Sequence, residues 1–217
     1  MDFIEDTPIL GVRPEPLESI PGRIKKRIFD IAFSSFIILF VLSWLIPILG
    51  VLILLDSKGS VFFTQVRSGK KNLPFSCIKL RTLTVNQQAD DLQVTRGDSR
   101  VTKVGRFLRK TNLDELPQFF NVLLGHMSIV GSRPHMLKHT EEYSKLQKDF
   151  MIRHYIKPGV TGWAQVNGHR GEIKEHEQLK KRVEHDIWYL ENWNIWLDVR
   201  IVYLTFVSTI KGDKNAF

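Results

Sequence analysis

One cysteine, Cys77, is all that the 217 residues contain. A single thiol cannot close an internal disulfide, so the folded part suits a reducing compartment, and Cys77, in an alternating apolar segment, reads as buried filler. The chain has no Gly-x-Gly-x-x-Gly turn and no Gly-x4-Gly-Lys-Ser/Thr loop, so neither common phosphate-cradling device is present. It has seven histidines but no His-Glu-x-x-His pair. His135 and His139 have i, i+4 spacing and read as a surface feature rather than zinc ligands. No repeat and no low-complexity tract occurs. Acids are the scarcer charge: 23 against 31 Lys and Arg, a formal net charge of +8. That excess suits an anionic partner, either lipid headgroups, a nucleotide or nucleic acid. The basic residues are scattered, however, and no nucleic-acid motif accompanies them, so nucleic acid is not an expected partner.

Charge is missing altogether from Ile31 to Leu55. The run is long enough for a membrane helix and has no small-residue cleavage site after it, which argues against a secretory leader. Basic residues flank it on both sides, Arg23, Lys25, Lys26 and Arg27 before and Lys58, Arg67, Lys70 and Lys71 after. A simple span should carry its basic excess on one side, so two basic flanks favour both ends on the cytoplasmic side. Pro47 lies inside the run and can break a helix there, so the segment either dips into the bilayer and returns or crosses it with a kink.

The remaining chain divides as follows. Residues 1–22, with Pro8, Pro14, Pro16 and Pro21, read as an extended lead-in that contributes no core. Residues 23–58 form the anchor and 59–217 a soluble unit, giving an α+β class. Val61 to Val66 and Phe75 to Leu80 are expected to be strands of a hairpin turning through Arg67 to Asn72. Thr84 to Arg100, with Asp90 and Asp91, reads as a loop. Glu175 to Asn192 carries an apolar helical stripe at Leu179, Val183, Ile187 and Leu190. Trp193 to Ile210 reads as a helix suited either to the membrane interface or to the core, interrupted by Asp198 and Arg200.

The candidate chemistry centres on Arg106 to Gln118, where Asp114 and Glu115 follow a basic cluster and precede Pro117 and an apolar run ending at Gly125. The pattern predicts that both acids lie in the first turn of a helix, whose partial positive charge would keep them ionised. An ionised carboxylate can attack phosphorus or hold a divalent cation, while the purely structural reading makes Asp114 an N-cap. Gly131-Ser132-Arg133-Pro134 and the Gly-rich stretch from Lys157 to Arg170 add arginines able to grip phosphate oxygens.

Taken in order, these segments resemble the bacterial sugar transferases, the monotopic polyprenyl-phosphate phosphoglycosyl transferases. The likeness rests on Lys26-Arg-Ile-Phe-Asp30, Val61 to Gly69, Lys79-Leu-Arg81-Thr, Val104 to Thr111, Leu113-Asp-Glu-Leu-Pro-Gln118, Met127 to Pro134 and Pro158 to Val166, from about Arg23 to Gly212. It implies a membrane-anchored monotopic domain whose N-terminal helix is re-entrant and bent at Pro47, a small hairpin, and several amphipathic helices, the last at the membrane interface. It implies transfer of a sugar 1-phosphate, most closely a hexose 1-phosphate, from a UDP-sugar to undecaprenyl phosphate at the cytoplasmic face of the bacterial inner membrane. Asp114 is then the nucleophile, with Glu115 its dyad partner. Lys79, Arg81, Arg109, Arg133 and Arg170 are expected to contact phosphate or substrate, and Mg2+ to bind at Asp114. The homo-oligomeric state stays open, and residues 3 to 22 look like a linker from an upstream region of longer relatives. Three positions depart from the family pattern. His126 stands where Asp is common, Ser132 replaces a proline, and His169 precedes Arg170. Two other classes remain in view: a membrane-tethered nucleic-acid-binding module and a membrane scaffold, neither of which needs the acidic pair.

Overall fold

The computed structural model describes residues 2–4, 7–9, 15–85, 97–171, 173 and 175–211. Asp90 and Asp91, with most of the expected 84–100 loop, lie outside the described residues.

Strands β1 (Asp2–Ile4) and β2 (Thr7–Ile9) pair antiparallel. Helix α1 (Ile20–Ile37) starts where Ser19 accepts a hydrogen bond from the Gly22 N–H, with Pro21 in the first turn where no N–H is needed. The lead-in is therefore shorter than expected, and it does reach the core: Leu17 is 7 % exposed within the main apolar cluster. A π-helical segment, Ile38–Leu42, joins α1 to α2 (Ser43–Asp56) without a gap.

Pro47 thus sits inside a continuous helix, and the irregularity lies one turn before it. The physical reason is local. Proline offers no N–H to the Ser43 carbonyl and its ring crowds that carbonyl, so the preceding turns widen. The Ser43 N–H bonds five residues back to Ile38 O. Ser43 Oγ and Trp44 Nε1 donate to the carbonyls of Leu39 and Phe40, at 2.7 and 2.8 Å, supplying donors where the regular ladder is disturbed.

Both halves of this helix dock on the same globular unit. From α1, Lys26 Nζ reaches Asp198 Oδ2 and Tyr189 Oη, each at 2.8 Å, and Asp30 Oδ1 accepts from Ser128 Oγ and the Ile129 N–H. From α2, Leu49 and Ile53 pack with Leu80 and Leu108. Asp56 Oδ2 accepts from the Val104 N–H at 2.9 Å. Between these points Phe36, Leu39, Phe40, Trp44, Ile48 and Val51 are exposed. Among the described residues this is the one helix long and apolar enough to cross a membrane.

The hairpin forms as expected, from β3 (Phe62–Ser68) and β4 (Pro74–Leu80), with Lys71 and Asn72 in the left-handed region at the turn. Cys77 is buried at 1 % exposure. Then come α3 (Lys103–Thr111), a 3₁₀ turn (Leu113–Glu115), α4 (Gln118–Leu124) and β5 (Ser128–Val130), followed by α5 (Leu137–Leu146) and a 3₁₀ stretch (Lys148–Tyr155). Strand β6 (Gly159–Thr161) pairs in parallel with β5, and α6 (Trp163–Val166), α7 (His176–Asn192) and α8 (Ile195–Lys211) complete the chain. The molecule is mostly helical with small sheets.

The α7 stripe is core: Leu179, Val183 and Leu190 are buried. Helix α8 divides its faces. Leu197 and Ile201 are buried while Trp196, Tyr203 and Phe206 are exposed, so core and surface readings each hold for one side. Asp198, fully buried, takes bonds from Lys26, Tyr189 and Trp193, which explains a charge inside that run. His135 is a correction. It lies before α5 and is buried, stacked on Phe150, with Nδ1 3.1 Å from Arg153 Nη1.

Candidate active site

Asp114 and Glu115 lie in a separate 3₁₀ turn between α3 and α4, not in the first turn of α4, which begins after Pro117. Asn112 makes this possible. Its left-handed conformation, φ 58°, ends α3, its N–H caps that helix, and its carbonyl accepts from the Glu115 N–H. Asn tolerates this region better than most side chains.

The two acids meet different surroundings. Glu115 gathers cations from three segments. Lys79 Nζ lies 2.7 Å from Oε1, Arg133 Nη2 2.8 Å from Oε1 and Nη1 3.2 Å from Oε2, and Arg170 Nη2 3.7 Å from Oε2. Though burial opposes its charge, Arg133 and Lys79 hold its carboxyl well below the usual range. Asp114 instead lines a cavity of about 630 Å³. Its burial raises its pKa to about 6, with Lys79, Arg109 and Arg133 opposing and the Glu115 charge adding to the rise. Asp114 thus stays ionised at neutral pH as expected, but no helix terminus holds it so: desolvation is the largest influence on it and acts against the charge.

Lys79, Arg81, Arg109, Arg133, Arg67 and Arg182 also line the cavity, and Asp114 is the one acid among the described lining residues. Arg109, half-buried on α3, lines the cavity, and its charge acts on Asp114. Arg170 is tied to Asn112 Oδ1 as well as Glu115.

Arg81 departs from expectation. Its Nη1 and Nη2 donate to Lys58 O and Ser57 O, each at 2.6 Å, so the guanidinium clamps the end of the apolar helix to β4 while edging the cavity. Lys157 also falls elsewhere, 3.5 Å from where a side chain on Gly125 would begin and beside Arg27. Of the two basic ends of the Gly-rich stretch, only Arg170 reaches the site.

Gly159 and Gly162 of that stretch serve packing, against Gly131. Gly131 N–H donates to Thr161 O and Gly159 N–H to Ser132 O, both at 2.9 Å. A Cβ on Gly162 would stand 2.1 Å from Gly131 O. This crossing of two backbones aims Arg133 at Glu115. Ser132 Oγ bonds Arg153 O at 3.3 Å, and His126 is exposed near Phe75. Asn112, Tyr143 and Arg182 were not among the expected site residues. A left-handed Asn and long-range helix packing leave no local motif.

Among the described residues no three His, Cys, Asp or Glu side chains converge as a metal site. Among the described residues Asp114 is the cavity's available carboxylate, since Glu115 is already shared among Lys79, Arg133 and Arg170. One carboxylate suffices for a hard divalent cation whose other ligands are phosphate oxygens and waters.

Comparison with known proteins adds to this geometry. A UDP-glucose:undecaprenyl-phosphate glucose-1-phosphate transferase of Klebsiella pneumoniae is 46% identical over 217 residues, covering 99% of this chain and 46% of that protein. One of the same name from Caulobacter vibrioides is 38% identical over 219 residues, covering 100% of this chain and 81% of that one. A UDP-N-acetylgalactosamine-undecaprenyl-phosphate N-acetylgalactosaminephosphotransferase of Aeromonas hydrophila is 36% identical over 213 residues, 98% and 49% of the two chains. The chain spans about half the length of the first and third of these relatives. The family model described as bacterial sugar transferase matches residues 21–212, nearly the whole chain, and the protein belongs to that family.

Proposed function

We propose that this protein transfers a hexose 1-phosphate from a UDP-sugar to undecaprenyl phosphate, with Asp114 as nucleophile. The observation that carries the reading is the Asp114 carboxylate in a cation-lined cavity, edged by Gly59 and Ser60 just beyond the end of the apolar helix. Such a site can receive a soluble diphosphate donor and a membrane-borne phosphate in turn. UDP-glucose is the first donor to test, because two of the relatives carry it in their names.

In the first step an Asp114 oxygen attacks the sugar-bearing phosphorus. The bond from that phosphorus to UMP breaks, the electron pair leaves on the UMP phosphate, and a sugar-phosphoryl aspartate remains. In the second, an oxygen of the lipid phosphate attacks the same phosphorus and the Asp114 carboxylate leaves. Lys79, Arg109 and Arg133 meet the charge on the transferring oxygens. Glu115 acts by holding Lys79, Arg133 and Arg170 in one cluster. Mg2+ held by Asp114 together with the donor's diphosphate would neutralise charge there. A pKa near 6 suits the nucleophile: ionised at neutral pH, yet more basic than an exposed carboxylate.

The apolar helix is read as a re-entrant anchor, because both of its ends are pegged to one globular unit while its middle exposes apolar side chains. On this reading the domain sits on the cytoplasmic face of the membrane, the side that two basic flanks favour. The scaffold and nucleic-acid readings give Asp114, in its cation-lined cavity, no role.

The test is UMP release. In detergent with UDP-glucose, Mg2+ and no lipid acceptor, the protein is expected to release about one UMP per active site and gain the mass of a hexose phosphate on the peptide carrying Asp114. Release only after undecaprenyl phosphate is added would mean direct transfer in a ternary complex.

A further inference from the structure

The cavity reaches well past Asp114. Its floor follows β3, where Phe63, Gln65 and Arg67 line it at alternate positions. Phe63 pairs with Lys79, whose ammonium holds Glu115, so this end lies at the dyad. Arg67 bridges to Met136 and donates to Pro134 O at 3.3 Å. Four residues of strand separate the two ends by roughly 13 Å.

Beyond Arg133 the wall is made by α5 and α7, which contribute Tyr143 and Arg182. Arg182 is 5 % exposed, its Nη2 donates to Gly171 O at 3.0 Å, and its Nε is buried with no partner among the described residues. The acid one turn along the helix, Asp186, lies 2.7 Å from Arg153 instead. Burial beside Arg153 and Arg133 lowers the pKa of Arg182 to about 10, so it stays cationic at neutral pH. The Tyr143 ring is fixed by edge contacts to His135, 5.4 Å between centroids, and Phe150, 5.7 Å. A buried cation on the cavity wall beside a fixed aromatic ring suits a nucleotide, which brings a phosphate and a flat base together.

The direction of the reaction assigns the occupant. In-line displacement by Asp114 puts the leaving group on the side of phosphorus away from Asp114. Resting on the transfer reading above, we infer that Arg182 and Tyr143 hold the UMP half of the donor and that the hexose lies elsewhere in the cavity. Arg133 lines the same cavity and is an electrostatic neighbour of both Asp114 and Arg182.

UMP alone is the probe, titrated into the full chain in lipid nanodiscs, with kcat/KM measured in parallel for UDP-glucose and UDP-galactose. Arg182→Gln is expected to weaken UMP binding about tenfold or more, as the loss of a charge-assisted hydrogen bond does. KM for both donors should rise by the same factor while their kcat/KM ratio stays as in wild type. Tyr143→Leu should do likewise and Tyr143→Phe should retain binding, so the test survives if Arg182→Gln fails to fold. If UMP binds the Arg182→Gln and Tyr143→Leu proteins as it binds wild type, or if the donor ratio shifts while UMP affinity does not, the assignment is overturned. Wild-type protein that releases no UMP from any UDP-sugar would overturn the transfer reading as well, which separates the two failures.

Discussion

At Asp114, burial and neighbouring cations pull in opposite directions, and burial prevails. The consequence for stability follows from the sign of the shift. A carboxyl raised from 3.8 to about 6 binds more protons folded than unfolded between those values, so its contribution to stability falls as pH rises through that window. Asp114→Asn is therefore expected to lower turnover by orders of magnitude yet raise stability at pH 7.5, by at most about 3 kcal/mol, with the gain vanishing below pH 4. Thermal melts across pH check the second half. The wild-type rate should fall on the acid side with an apparent pKa near 6. Glu115 carries the opposite sign. Its depressed carboxyl stabilises at neutral pH and that stability is lost as pH falls, so Glu115→Gln should destabilise by about 3 kcal/mol or more, leaving three cations without their shared partner. Glu141→Gln, at an exposed pair with Lys145, should change neither activity nor melting measurably. Equal melting shifts for the two dyad variants would contradict this division of labour. The adjacency of the two acids was legible in the sequence. Their unequal surroundings were not, because these depend on Lys79, Arg133 and Arg170 arriving from distant segments.

Elements carried by local pattern were legible, and elements carried by backbone crossing were not. The hairpin and α7 follow from alternation and helical spacing, whose signals lie within each segment. The Gly-rich stretch and Gly131-Ser132-Arg133-Pro134 read as able to serve a phosphate site through their basic residues, but Gly131, Gly159 and Gly162 are small because two backbones touch there. Gly162→Ala is therefore expected to destabilise the fold and loosen Arg133, raising KM for the donor. Gly168→Ala, where a Cβ meets open space but the backbone is left-handed, should cost only about 1 kcal/mol. Chemical melts and donor kinetics of the pair distinguish packing from a loop that binds phosphate directly. In the latter case both variants would damage binding without a difference in stability.

Contacts across the whole chain set the geometry of the anchor, and here the sequence says least. Lys26 and Asp198 are 172 residues apart, and nothing near either announces the other. Once formed, this buried pair, together with Asp30 on Ser128 and the Arg81 clamp on Ser57 and Lys58, pegs both ends of a 37-residue apolar helix to one body. The π-helical segment between them sets the rotation of one half against the other. Restoring regular helix there would turn the halves by about 100° per residue of register, so the Lys26 face and the Leu49 and Ile53 face could not both stay docked. Pro47→Leu, which returns an N–H to that turn, is accordingly expected to weaken the seat and lower activity in membranes. Its effect should be smaller in Asp198→Asn, where one peg is already damaged. Topology follows from the same pegs. Single cysteines placed at Arg27 and at Lys58, in a Cys77→Ala background, should be labelled alike in intact cells, protected from an impermeant reagent and reactive once the membrane is opened. If one is labelled from outside and the other only after permeabilisation, the helix crosses the bilayer. Lys26 and Arg81 could not then grip the same domain, and the re-entrant anchor proposed here would have to be abandoned.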